Sequence, residues 1–119
     1  MVNASFDYTP DNGVLTMRVS GHAGSGPEGF DLICASVSGI AVGIAQVISD
    51  MGQEGKFRKK PNITIRKGYV KIVAKPKDEH FAEALHTLFV GEVQLGLLAQ
   101  VYPQFITLQP FVMAAKGEE

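Results

Sequence analysis

The chain has 119 residues, 45% hydrophobic and 19% charged, which fits one globular domain over residues 1–119 that buries roughly two-thirds of its extended surface. A chain so rich in Val, Ile, Leu and Phe is not disordered as its main state, and it needs no metal or disulfide staple. Net charge is −1, yet residues 56–77 hold nine of the eleven Lys and Arg and no acidic residue, so one segment is predicted to attract polyanions.

Val2, Ala4, Phe6 and Tyr8 alternate with polar residues, the period of a strand with one buried face. Pro10-Asp11-Asn12-Gly13 predicts a reversal, and a second strand follows with Leu15, Met17 and Val19 inward. Residues 1–8 contain no basic segment followed by an apolar run, so no secretory signal is predicted. Gly21 to Gly29, with four glycines and one proline, is predicted to be a mobile loop.

Asp31 stands at a helix N-cap position. Beyond it, Ile33, Val37, Ile40, Ala41, Ile44, Val47, Ile48 and Met51 recur at intervals of three and four, predicting a helix from Leu32 to Met51. The apolar stretch Leu32–Ile48 is interrupted by Ser36, Ser38, Gly39, Gly43 and Gln46, and is expected to fall short of a bilayer span and to be a core helix. Gly39 and Gly43 weaken that helix, so a second element is expected to pack closely on their face.

Ile63 and Ile65, then Val70 and Ile72, bracket Arg66-Lys67-Gly68 and predict a second hairpin whose outer face is basic. Asp78 is a candidate cap for a helix with the stripe Phe81, Leu85, Leu88, Phe89, Leu95, Ala99 and Tyr102, ended by Pro103. A last strand is predicted over Phe105–Gln109. The order β-β-α-β-β-α-β predicts an α+β two-layer sandwich: a mostly antiparallel sheet with both helices on one face.

The chemistry concentrates between the second strand and the first helix. His22 follows the strand, and Cys34, the only cysteine, lies in the first helical turn. Its solitude excludes an internal disulfide or a Cys-rich zinc site and predicts a reduced, cytoplasmic setting. A thiol is mostly protonated at neutral pH, and a helix N-terminus contributes only about 0.3–1 kcal/mol towards ionising it. A nearby imidazolium would supply the rest, and the same ring could protonate a leaving amine. Backbone N–H groups of the first turn, near Cys34 itself, are candidate oxyanion donors. An inert core cysteine and a loop histidine are the alternatives to this reading.

Gly21-His22-Ala23, then Gly29, Asp31, Ile33-Cys34-Ala35 and Ser38, closely resemble the signature of the ribosomal-processing cysteine protease family, Prp. The likeness extends over essentially the whole chain. It implies an endopeptidase with a Cys-His dyad that removes the amino-terminal extension of a large-subunit ribosomal protein, works as a homodimer, and has a flexible loop over its site. On that resemblance Cys34 is the nucleophile and His22 the general base and acid. Asp31 and Ser38 match two further recurrent positions; each is either a catalytic support or an ordinary helix residue. The resemblance also implies cleavage next to aromatic residues, hence an apolar pocket near the dyad. Ser25 to Glu28 and Phe30 fall where relatives vary, so no role is carried to them.

No cofactor, metal or membrane partner is expected. His80 and His86 face different directions on one helix without a third ligand, and Gly24-Ser25-Gly26 lacks the residues of a phosphate loop. The basic hairpin, with Phe57 and Tyr69, supports an alternative: a non-catalytic module that binds RNA or associates with the ribosome. A redox sensor would need a resolving thiol from elsewhere.

Overall fold

The computed structural model describes residues 1–24, 26 and 31–112. Strands β1 (Val2–Thr9) and β2 (Val14–Gly21) form the first hairpin, and helix α1 (Leu32–Gln53) follows. The second hairpin is β3 (Asn62–Arg66) and β4 (Tyr69–Ala74); helix α2 (Phe81–Val101) and strand β5 (Ile106–Gln109) complete the order. The sheet runs β3-β4-β2-β1-β5. All its pairings are antiparallel except β1 with β5, where Val2 lies opposite Ile106.

Alternation in the strands sends Val2, Ala4 and Phe6 of β1, Leu15, Met17 and Val19 of β2, and Val70, Ile72 and Ala74 of β4 into one core. Helix α1 buries Ile33, Val37, Ala41, Ile44, Ala45, Ile48 and Met51 against it. Helix α2 adds Ala84, Leu88, Gly91 and Leu95. Leu15, Met17, Ile48, Ile72, Leu88 and Leu95 are among the largest fully buried side chains, each contributing about 1.5–3 kcal/mol through burial. Tyr8 departs from its strand's pattern: it is exposed, and its ring packs at a tilt against Phe81 at a centroid distance of 5.1 Å.

Several details differ from the sequence expectations. Gly39 and Gly43 face solvent with nothing within 4 Å of an added β-carbon, whereas a β-carbon at Gly91 would stand 3.0 Å from Ile44. The close approach between helices is therefore made by α2, and the α1 glycines are not its cause. Val47 and Phe89, expected inward, are exposed. Asp78 does not cap α2. It opens a short 3-10 turn, Asp78–His80, and its carboxylate pairs with Arg58 at 2.7 Å. Helix α1 does not fall short as expected: by length and composition it is apolar enough to cross a bilayer, as is the stretch Asp78–Val101. In the fold one face of each helix lies against the sheet.

Candidate active site

The first helical turn is built around Asp31. Its backbone is extended, at φ −83° and ψ 97°, and its carboxylate Oδ1 accepts the N–H of Cys34 at 3.0 Å while its carbonyl accepts that of Ala35 at 3.0 Å. A cap of this kind stabilises a helix by about 1 kcal/mol. The arrangement sets where α1 begins, and so where Cys34 stands. It also corrects the oxyanion expectation: the N–H of Cys34 is occupied by its own cap, which leaves those of Leu32 and Ile33 as the first-turn donors without a partner among the described residues.

Cys34 is partly buried, with one side against the core. Its sulfur accepts a hydrogen bond from the backbone N–H of Ala23 at 3.1 Å. The contact fixes where the sulfur points. The same bond ties the end of β2 to the start of α1 across the loop. Gly21, the last residue of β2, adopts φ +104°, and a β-carbon there would collide with the Met1 carbonyl. Only glycine fits that corner.

His22 follows this corner and is exposed. Its carbonyl accepts from the Met1 amino group. The imidazole makes no hydrogen bond with Cys34 or any other side chain among the described residues. It lies instead against Gly68 in the β3–β4 turn, where an added β-carbon would stand 2.7 Å from Nε2 and 2.9 Å from Cε1.

His22, Asp31, Cys34 and Ser38 nonetheless open onto one cleft of about 690 Å³. Its apolar wall comes from Val37, Ala41 and Val42 of α1 and from Ile65, Tyr69 and Val70 of the second hairpin. Ser38 is exposed one turn beyond Cys34 and makes no side-chain hydrogen bond among the described residues. Arg66 and Lys67 stand on the rim, with the Arg66 guanidinium 4.2 Å from the centre of the Tyr69 ring. A second cleft of about 650 Å³ shares Val42 and Ile65 with the first and continues past Lys59 and Lys60. Gly29, Phe30 and residues 25, 27 and 28 lie outside the described residues, and with them four of the nine residues of the loop expected to be mobile.

Side-chain chemistry alone could not have found Ala23 or Gly68. Ala23 contributes a backbone N–H, which every residue but proline carries, and Gly68 contributes an absence. The basic segment proves to be divided. Lys56 pairs with Glu83 at 2.8 Å and Glu54 at 3.0 Å, and Arg58 pairs with Asp78. Hydrogen bonds that Lys56 donates to Glu83 and then to Glu54 hold its ammonium above its usual range, and the bond accepted from Lys56 holds the Glu83 carboxyl below its own. Among the described residues no three His, Cys, Asp or Glu converge on a metal position; His80 leans on Glu83 and His86 on the Phe89 ring.

Comparisons with known proteins agree with this geometry. The ribosomal processing cysteine protease Prp of Bacillus subtilis (strain 168) is 27% identical over 66 residues, covering 48% of this chain and 59% of that protein. A crystal structure of the essential ribosomal processing protease Prp from S. aureus with a covalently linked product peptide superposes with a TM-score of 0.72 at 24% identity, covering 92% of this chain and 99% of that one. The crystal structure of SMU.848 from Streptococcus mutans gives 0.64 at 21% identity, covering 93% and 94%. Both likenesses establish the α+β fold. The family model described as cysteine protease Prp matches residues 1–107, and the chain accordingly belongs to the Prp cysteine protease family.

Proposed function

We propose that the protein is a cysteine endopeptidase that removes the amino-terminal extension of a large-subunit ribosomal protein, with Cys34 as nucleophile and His22 as general base and acid. The observation that carries this reading is the accessible Cys34 sulfur, held at a helix start by the Ala23 N–H and sharing one cleft with His22. In the reaction His22 takes the thiol proton, and the sulfur attacks the scissile carbonyl. Collapse of the tetrahedral intermediate expels the amine, which receives that proton, and leaves an acyl thioester; water activated by His22 then releases the acid. The N–H groups of Leu32 and Ile33, without a partner among the described residues, are the helix-end donors for the oxyanion.

Asp31 acts through the cap it makes, as a positioning residue, and Ser38 offers a hydroxyl to the bound peptide. The wall of Val37, Ala41, Val42, Ile65, Tyr69 and Val70 suits an apolar side chain beside the cut bond, and the adjoining cleft extends the path for a chain longer than one cleft can hold. The Bacillus relative is named for ribosomal processing and the S. aureus structure holds a product peptide, which supports the substrate class. A cytoplasmic homodimer fits the outer helix faces, where Val42, Val47, Phe89, Val90, Val93 and Leu97 are exposed. The reading as an RNA-binding module has less support, because Lys56, Arg58 and Arg66 are already engaged.

The test is cleavage of a peptide spanning the leader junction of the host's ribosomal protein, followed by mass spectrometry. Wild-type protein should release one defined fragment, and Cys34→Ala should release none. A Cys34→Ala protein that still cuts would refute the assignment.

A further inference from the structure

The imidazole of His22 lacks a hydrogen-bonding partner among the described residues, yet it has a definite seat. A β-carbon at Gly68 would stand 2.7 Å from its Nε2 and 2.9 Å from its Cε1, closer than side chains tolerate. The Gly68 carbonyl accepts the N–H of Gly21 at 3.0 Å, which pins the chain immediately before His22. Gly68 also takes φ +70°. One residue of the β3–β4 turn thus anchors the backbone that leads to the imidazole and leaves open the space in which the ring lies. The atoms a β-carbon would strike are the far end of a side chain, so it would turn the ring and spare the fold.

From this we propose that Gly68 is a positioning residue for His22, the bare platform that holds the ring on the cleft side facing Cys34. The inference rests on the reading of His22 as general base and deepens it, by making the second hairpin part of the catalytic apparatus. Gly13 provides a natural control. It has nearly the same backbone conformation, φ +67°, with nothing within 4 Å of an added β-carbon, so an alanine there carries the backbone strain without touching His22.

The experiment measures the rate of Cys34 alkylation by iodoacetamide from about pH 5 to 9, a range that spans imidazole titration, in wild-type, Gly68→Ala, Gly13→Ala and His22→Ala proteins and in the Gly68→Ala, His22→Ala double variant. Gly68→Ala should slow alkylation at neutral pH by about tenfold or more relative to Gly13→Ala and shift the pH midpoint, since small misplacements of a catalytic group are costly. In the His22→Ala background it should have no further effect. Equal rates for Gly68→Ala and Gly13→Ala, with His22→Ala slow, would overturn the inference and leave the dyad standing. So would a Gly68→Ala effect that persists undiminished without His22. A His22→Ala protein as reactive as wild type would overturn the dyad and this inference with it. Should Gly68→Ala not fold, Gly68→Asn carries the same β-carbon on a residue that accepts positive φ, and the same expectations apply.

Discussion

The two ends of the cleft are built on opposite principles. At one end Cys34 is fixed by hydrogen bonds: Asp31 receives its N–H and Ala23 donates to its sulfur. At the other, the backbone on either side of His22 is tied to Gly68 and Met1, but among the described residues the ring is placed by shape alone. Cys34, the proposed nucleophile, is preorganised by the start of a long helix, and the exposed ring of His22, the proposed base, rests on the β3–β4 turn. In the proposed reaction the ring accepts a proton from sulfur and later delivers it to nitrogen, and contact without a hydrogen bond among the described residues lets it reach both positions. Hydrogen bonds to a catalytic base commonly tighten only when substrate is bound.

The strongest way to break this comparison is to remove the ring. His22→Ala should lower peptide cleavage by about 10²- to 10⁴-fold, the usual contribution of a general base, and slow alkylation of Cys34, while leaving the unfolding midpoint nearly unchanged because the ring is exposed. Cleavage kinetics and a denaturant titration on the same preparation check both halves. A large fall in stability would mean that the His22 end is structural as well.

Asp31 tests the opposite end. Asp31→Ala should cost about 1 kcal/mol of stability through loss of the cap and should reduce Cys34 reactivity as the helix start frays. Asp31→Asn, which can still accept the Cys34 N–H, should recover most of both. Chemical denaturation alongside iodoacetamide kinetics separates a positioning role from a charge effect: if Asn fails to restore reactivity while restoring stability, the carboxylate acts on the chemistry directly.

Much of this contrast was legible before any coordinates. Asp31 is a short acidic side chain before an apolar helix period, and that pattern carries its meaning locally; so does the alternation in β1 and β2. Gly21-His22-Ala23 and Cys34 point to a site because both sequence ends of the loop carry reactive side chains. Contacts between distant segments were not legible. Gly68 lies 46 residues after His22 (68 − 22), and a turn glycine looks alike whether a ring rests on it or not. Asp78 departs from its expected capping role for the same reason: its partner Arg58 comes from another part of the chain, and a long-range ion pair competes with the local cap. Tyr69 and Ile65 reach the cleft only because β4 pairs with β2.

Gly39 and Gly43 sharpen the comparison from the helix that carries Cys34. Both are exposed with nothing near them, so replacing either by alanine should stabilise an isolated chain by up to about 1 kcal/mol, without altering Cys34 reactivity. Thermal unfolding at low protein concentration reads the first effect. If two copies associate through this face, the same substitutions should weaken association at higher concentration, as sedimentation would show, and the gain in stability would shrink as protein is added.

The smallest effect belongs to a pair outside the cleft. The hydrogen bond from Lys56 lowers the Glu83 carboxyl below its ordinary value of 4.5, so the folded state binds that proton less tightly than the unfolded chain does. The resulting stabilisation is fully present above the unfolded-state value and is lost as pH falls through the folded-state one. Glu83→Gln should therefore unfold slightly more easily than wild type at neutral pH, with the difference closing in the acid range below about pH 4.5. Glu83 is exposed and Lys56 only half-buried, which keeps the effect small and sensitive to salt. Urea titrations at neutral and acid pH, with and without added salt, check the sign. Because Lys56 and Glu83 lie outside the cleft lining, alkylation of Cys34 should be the same in the variant and wild type. A change there would show that the surface pair reaches the cleft, and that the two ends of the site are not the only elements that set it.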